Sequence, residues 1–115
     1  MIRSFRHKGL RLLWEKGDGI KLPADQLTRI ERMLNVIDAA QLLPQDFEVY
    51  KNWNLHKLSG KWKGFWALKV TGNYRIVFRF EGQIIYFIRI LAFKPKNNPV
   101  ISRYFESPES FPFAR

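Results

Sequence analysis

The sequence predicts an α+β protein in which two N-terminal helices pack on one face of a twisted, mostly antiparallel sheet. Three observations support this class. Apolar residues recur at helical spacing before residue 44, apolar and polar residues alternate from 65 to 80, and a nearly continuous apolar run extends from 83 to 93. With 115 residues, of which 46% are hydrophobic, the chain is long enough for one domain with a modest core.

The first elements are predicted to be a short strand and a helix. Residues 2–7 alternate in the manner of a half-buried strand. Leu10, Leu13 and Trp14 then recur at helical spacing, and Gly17 begins a Gly-Asp-Gly sequence that is expected to end this helix.

The second helix has the strongest pattern in the chain. Pro23 is suited to its first turn, Asp25 is favourable near its positive end, and Pro44 is expected to stop it. The residues that mark its apolar face are Leu27, Ile30, Leu34 and Ile37.

Two strands joined by a three-residue loop, residues 71–73, are predicted next. Only this loop length gathers the apolar residues on one face, and a buried face fixes the register strongly. It leaves Lys69, Arg75 and Arg79 together on the other face. The predicted partners are Val70 with Tyr74, Lys69 with Arg75, Leu68 with Ile76, and Trp66 with Phe78.

The end of the chain differs in composition from the rest. Residues 94–115 contain four prolines, which remove backbone donors and disfavour helices and central strands. We therefore expect one domain over residues 1–93 and a loosely attached tail over residues 94–115.

Positive charge is concentrated in the second half of the chain. The total is +10, and seven basic residues with no acidic residue lie between Lys51 and Arg79. Such a field attracts polyanions, phosphate backbones above all. Trp53 and Trp62 lie in this region and are candidates for stacking on bases, whereas Trp66 belongs to the predicted apolar face.

Composition also limits the alternatives. There is no cysteine, so a disulfide framework or thiolate metal site is excluded, and the two histidines have no third ligand to form a metal site. No apolar run approaches the roughly 20 residues that cross a bilayer. We expect a cytoplasmic protein with no membrane partner.

An ordered set of segments resembles the HigB branch of the RelE/ParE toxin superfamily. No single motif is decisive, but the order and spacings over about the first 82 residues are specific. The segments are residues 1–10, 36–40, 55–60, 64–70 and 72–78.

The resemblance implies a RelE-like fold and a toxin of a type II toxin–antitoxin system that cuts mRNA on the translating ribosome and arrests growth. A cognate, HigA-like antitoxin would bind it, and DNA would be contacted only through that antitoxin. The chemistry would need no metal or cofactor. By motif, His56 would act as acid or base and Arg75 would hold the scissile phosphate. The basic residues expected to bind RNA are Lys57, Lys61, Lys63, Lys69 and Arg79.

Two other functions remain open on the sequence alone. Relatives usually end soon after the last strand in a tyrosine–histidine pair that contributes to the active site, and this chain has no histidine after His56. A non-catalytic basic module that binds nucleic acid or the ribosome is therefore one alternative, and a gyrase-inhibiting toxin of the same superfamily is another.

Overall fold

The computed structural model describes residues 1–92, which form two helices and one four-stranded sheet, so the predicted α+β class is confirmed. The predictions for the tail, and the domain boundary beside it, lie outside the described residues. In chain order the elements are α1 (Lys8–Lys16), α2 (Leu27–Ala39), β1 (His56–Lys57), β2 (Phe65–Lys69), β3 (Tyr74–Glu81) and β4 (Ile84–Ala92).

The sheet is an antiparallel meander in the order β1-β2-β3-β4, and the N-terminal residues lie along the outer edge of β4. The predicted first strand is wrong, because this segment forms only two isolated parallel bridges, from Ile2 to Ile85 and from Phe5 to Ile88. Between the bridges, Phe87 has a φ of 59°, and its amide donates to the hydroxyl of Ser4 instead of a backbone carbonyl. This irregularity in β4 prevents a continuous ladder.

Local hydrogen bonds define both ends of α1. His7 is the N-cap, and its Nδ1 accepts a hydrogen bond from the amide of Leu10 at 3.2 Å. Gly17 has a φ of 69°, a left-handed conformation that suits glycine, and its amide donates to the carbonyl of Leu13. The predicted end of this helix is confirmed.

The second helix ends at Ala39, earlier than the predicted stop at Pro44. Asp46 explains why the chain turns there. Its Oδ2 accepts hydrogen bonds from the amides of Gln41 and Leu42, at 2.8 and 3.1 Å. These hydrogen bonds to the charged form lower the pKa of the Asp46 carboxyl below its ordinary value.

The register of β2 and β3 agrees with the prediction. Leu68 pairs with Ile76, Lys69 pairs with Arg75, and the amide of Val70 donates to the carbonyl of Tyr74. One face of the sheet therefore packs against both helices and forms the main core. Its fully buried members include Leu10, Ile30, Leu34, Ile37, Leu68, Ile76 and Phe78.

A second, smaller core lies on the opposite face of the sheet. It contains Trp62, Phe65, Val77 and Leu91. Trp62 is 8% exposed and Trp53, in the main core, is 7% exposed, so the prediction that their rings are available for stacking on bases is wrong. Each ring packs on another aromatic residue instead. Trp66 packs against the main core as predicted.

Candidate functional site

The strand register places His56 on the face of the sheet that points away from the helices. His56 pairs with Ala67, Ala67 pairs with Val77, and Val77 pairs with Arg89. Residues paired across neighbouring strands project to the same side, so these four form one row across the sheet. We call this side, which also carries Lys69, Arg75 and Arg79, the open face because neither α1 nor α2 packs on it, although Ala67, Val77 and Arg89 are buried there.

The imidazole of His56 is exposed and is oriented by one short hydrogen bond. Its Nδ1 lies 2.8 Å from the carbonyl oxygen of Asn54. A carbonyl only accepts, so Nδ1 carries the proton and Nε2 of the neutral ring is the acceptor that faces solvent. Asn54 has a φ of 50°, and this left-handed conformation, which asparagine tolerates, defines the path of the backbone two residues before His56.

Arg75 lies on the open face and is oriented by the β2–β3 turn. Its Nη1 donates to the carbonyl of Thr71 at 2.7 Å and to the carbonyl of Tyr74 at 3.2 Å. Arg75 lies two strands and two residues from His56, a separation of roughly 12 Å between Cα atoms from standard strand spacing.

Arg79 is at a similar distance from His56, on the other side of Val77, but its charge is already shared. Its Nε lies 2.8 Å from Oε2 of Glu81 in an exposed ion pair. The guanidinium also packs over the ring of Phe65, with 5.7 Å from Cζ to the centroid, and against Gly64. The ion pair with Glu81 weakens the attraction of Arg79 for a phosphate.

Lys61 and Lys63 are exposed in the connection that leads into β2. Between them, the ring of Trp62 packs edge-on against Phe65, with the centroids 5.7 Å apart and the planes at 89°. Because Phe65 belongs to the open face, this contact anchors the connection there. The two lysines therefore border the open face, and their role in RNA binding stays a prediction.

Lys57 is placed differently from the other predicted RNA-binding residues. It pairs with Trp66, so it projects to the helix side of the sheet, opposite to His56. Its Nζ lies 5.3 Å from the centroid of the Trp66 ring, a cation–π arrangement. The structure brings His56, Lys69, Arg75 and Arg79 to one face, but it does not bring Lys57 to that face.

Two further arginines near the open face were not singled out from the sequence. Arg89 is 1% exposed and occupies the end of the His56 row, and Arg6 lies with Cζ 4.8 Å from the centroid of Phe87. The sequence does contain a feature that distinguishes Arg89, because it is a single charged residue within the apolar run of β4. No sequence feature distinguishes Arg6, because its position depends on the N-terminal segment lying along β4.

No group of three or more His, Cys, Asp or Glu in residues 1–92 is arranged to hold a metal ion. In the same residues, no helix is long and apolar enough to cross a membrane.

The chain is similar to known toxins over most of its length. The model of the HigB-like toxin family, described as "RelE-like toxin of type II toxin-antitoxin system HigB", matches residues 3–90. Endoribonuclease HigB from Proteus vulgaris is 43% identical over 81 residues, which cover 70% of this chain and 85% of that protein. These matches confirm the resemblance found in the sequence.

Two solved structures are also similar. YafQ from E. coli strain BL21(DE3) has 17% identity and a TM-score of 0.44, and the match covers 76% of this chain and 86% of YafQ. A mutant of YafQ from E. coli has 18% identity and a TM-score of 0.45, with the same coverage. On the strength of the family match over residues 3–90, this chain belongs to the HigB-like family of RelE-like toxins of type II toxin–antitoxin systems.

Proposed function

We propose that this toxin is an endoribonuclease that cuts mRNA on the translating ribosome, with His56 and Arg75 at the scissile phosphate. The 43% identical relative named Endoribonuclease HigB supports the activity. The charge of +10 suits a protein that works among nucleic acids. The observation that carries the chemistry is the hydrogen bond from His56 to Asn54 on the face that Arg75 shares.

His56 acts as the general base in this mechanism. Its Nε2 takes the proton of a ribose 2′-hydroxyl, while Nδ1 remains hydrogen bonded to the carbonyl of Asn54, which stabilises the imidazolium that forms. The 2′-oxygen then attacks the adjacent phosphorus. A bond from phosphorus to the 2′-oxygen forms as the bond to the 5′-oxygen breaks, leaving a 2′,3′-cyclic phosphate and a 5′-hydroxyl.

Arg75 stabilises the charge that develops on the phosphoryl oxygens. Its guanidinium is oriented by the Thr71 and Tyr74 carbonyls, so little ordering is needed when the phosphate binds. Attack is in line, so the 5′-oxygen departs on the side opposite to His56. It takes its proton from a separate donor, either water or the ammonium group of an exposed lysine such as Lys61 or Lys63.

The partners follow from the family. A type II toxin has a protein antitoxin as its partner. We further propose that this antitoxin is HigA-like, that it is the only link between the toxin and DNA, and that the toxin meets ribosome and mRNA in the cytoplasm. Lys61, Lys63 and Lys69 would contact RNA phosphates around the open face.

The test is induced expression followed by mapping of transcript 5′ ends. We expect growth arrest and new 5′-hydroxyl ends within translated transcripts, and loss of these ends when translation is stopped beforehand. Purified toxin should cut mRNA in a translating extract and leave the same RNA intact without ribosomes. The His56→Gln variant is the matched control, because the exposed imidazole can be replaced without disturbing the core.

Other results would favour the alternatives. Equal cutting of free RNA would indicate a conventional ribonuclease, and DNA damage without transcript cutting would indicate a gyrase inhibitor. Growth arrest with intact transcripts and intact DNA would indicate a non-catalytic binding module.

A further inference from the structure

A basic groove lies on the helix side of the sheet, between α2 and the segment that leads to β1. Its volume is about 390 Å³. Arg29 and Arg32 line one wall, and Lys51 and Asn52 line the other. The groove is open to solvent, and it is distinct from the open face because α2 packs on the opposite side of the sheet from His56.

The cations of the groove are arranged for one anionic ligand. Arg29 and Arg32 are exposed and three residues apart on α2, so they project from the same side of the helix. Lys51 is exposed across the groove. Within residues 1–92, no acidic side chain lines this groove or forms an ion pair with any of the three.

Aromatic packing positions one of the guanidinium groups. Cζ of Arg32 lies 6.0 Å from the centroid of the Tyr50 ring, and Tyr50 stacks on Trp53 with the centroids 4.2 Å apart and the planes at 11°. Trp53 belongs to the main core. The floor of the groove is therefore fixed to the fold, and the arginine that lies over it is partly ordered before a ligand arrives.

We propose that this groove is a second RNA-binding site, which holds the phosphate backbone of a strand away from the catalytic face. Guanidinium groups bind phosphate oxygens through paired donors, and the two arginines, one helical turn apart, can engage neighbouring phosphates of one strand. No base-specific pocket is needed, so the site binds independently of sequence.

The chemistry of the groove favours a phosphate backbone over an acidic protein segment. A peptide helix that docks in a groove needs apolar anchors at successive turns. Here Val49 is the one exposed aliphatic side chain among the lining residues, and the rings of Tyr50 and Trp53 are engaged with each other. The groove therefore presents mainly positive charge, and the phosphates of RNA carry negative charge at regular intervals.

This inference does not rest on which residues cut RNA, and the experiment separates the two questions. The groove variant is Arg29→Gln together with Arg32→Gln. Its control is Lys8→Gln with Arg11→Gln, two exposed positions on α1, which lowers the net charge by the same amount. The probe is a short single-stranded RNA with methylated 2′-hydroxyls, which the proposed chemistry cannot cleave. Binding is measured by fluorescence anisotropy over a range of salt concentrations.

We expect the groove variant to bind the oligonucleotide at least tenfold more weakly, and the slope of log Kd against log salt to fall by about 1.4 for two lost contacts to a single strand. The control should stay within about twofold, because distant charges are screened at physiological salt. Far-ultraviolet circular dichroism and Tm should be unchanged in both variants.

Co-sedimentation with ribosomes then distinguishes the source of the strand. Loss of binding to the oligonucleotide and the ribosome indicates contact with single-stranded RNA such as mRNA, and loss of ribosome binding alone indicates folded ribosomal RNA.

Two results would overturn the proposal. If the groove and control variants both bound the oligonucleotide more weakly to the same extent, the lower net charge alone would explain the loss. Unchanged binding of the groove variant to RNA and to ribosomes would exclude RNA as the ligand of the groove. If the same variant also bound the antitoxin more weakly, the groove would be assigned to the protein partner.

Discussion

The Nδ1 atom of His56 lies 2.8 Å from the carbonyl oxygen of Asn54. This contact requires a proton on Nδ1 and so directs the lone pair of Nε2 away from the backbone. A side chain on the edge strand of a sheet thereby gains the tautomer that a general base needs, and the donor–acceptor pair comes from residues only two positions apart. The proposed role of His56 can be tested through either partner.

Replacing His56 by glutamine should abolish the base without disturbing the fold. We expect mRNA cleavage in a translating extract to fall by about 10²- to 10⁴-fold, the usual contribution of a general base. Tm should be unchanged, because the side chain is exposed. Cleavage rates near the wild-type value would remove His56 from the chemistry.

His7 provides the comparison for that variant. It is buried and serves as the N-cap of α1, so His7→Asn should preserve both the cap and the activity. His7→Ala should cost about 1 kcal/mol of unfolding free energy with little change in the rate per folded molecule. A large loss of cleavage in His7→Asn would indicate that the catalytic histidine is not the one proposed.

Asn54 should matter for its backbone conformation. Asn54→Gly keeps the left-handed conformation and the carbonyl, so cleavage should stay within a few-fold of wild type. Asn54→Val disfavours that conformation by about 1–2 kcal/mol and should displace the carbonyl from Nδ1. The ¹⁵N shifts of His56 report the tautomer directly. An unchanged Nδ1–H tautomer in Asn54→Val would contradict the positioning role.

Arg75 and Arg79 should differ although they lie at similar distances from His56. Arg75→Ala should lower cleavage by about 10²-fold or more, and Arg75→Lys should recover little of it, because an ammonium lacks the planar donors that the Thr71 and Tyr74 carbonyls orient. Arg79→Ala should cost less, since its charge is shared with Glu81. Single-turnover cleavage by the two alanine variants is the measurement. A larger loss in Arg79→Ala would reverse the assignment.

Patterns that span a whole element predicted the fold well. The partners of Leu68 and Lys69 were predictable because a shift by one residue would have moved every apolar side chain of β2 and β3 to the wrong face. The end of α1 was predictable because Gly17 favours a left-handed conformation. The predicted first strand was wrong because long-range contacts determine the structure of that segment. Residues 2–7 alternate like a strand, but Phe87 interrupts the edge they would pair with.

The site was predictable by residue type and less so by placement. A cluster of cations predicts an anion-binding region, but which cations share a face depends on pairing. Lys57 and His56 lie on opposite sides of the sheet because successive side chains of a strand point to opposite faces. The sequence of this short segment has no pattern that predicts a strand. Trp62 looked like an exposed ring in a basic segment. It is buried because the turn that carries it folds onto Phe65, a contact between residues on either side of a turn that no periodicity reveals.

The burial of Trp62 makes a prediction that separates packing from base stacking. Trp62→Ala should cost about 3 kcal/mol of unfolding free energy, which corresponds to a Tm lower by about 12 to 24 °C, whereas Trp62→Phe should cost much less. Thermal unfolding followed by circular dichroism measures this. If Trp62→Ala left Tm unchanged and weakened RNA binding, the Trp62 ring would belong to the RNA-binding surface and not to the core.

Asp46 gives the fold a dependence on pH in the acid range. Its folded-state pKa lies below the ordinary value of 3.8, first because the amide of Gln41 donates to the carboxylate and next because the amide of Leu42 does. A lowered folded-state pKa means that the unfolded chain takes up the proton first. The carboxylate therefore contributes stability that is fully present above pH 3.8 and is lost as the pH falls through the folded-state pKa.

Asp46→Asn removes this contribution at neutral pH, so wild type should be more stable than the variant at pH 7, and the two stabilities should converge as the pH falls below about 4. Urea unfolding at a series of pH values measures the difference. Glu48→Gln, which removes a nearby exposed carboxylate that forms neither of these hydrogen bonds, is the matched control. A difference between wild type and Asp46→Asn that stays constant into strong acid would mean that the hydrogen bonds to Asp46 do not depend on its charge.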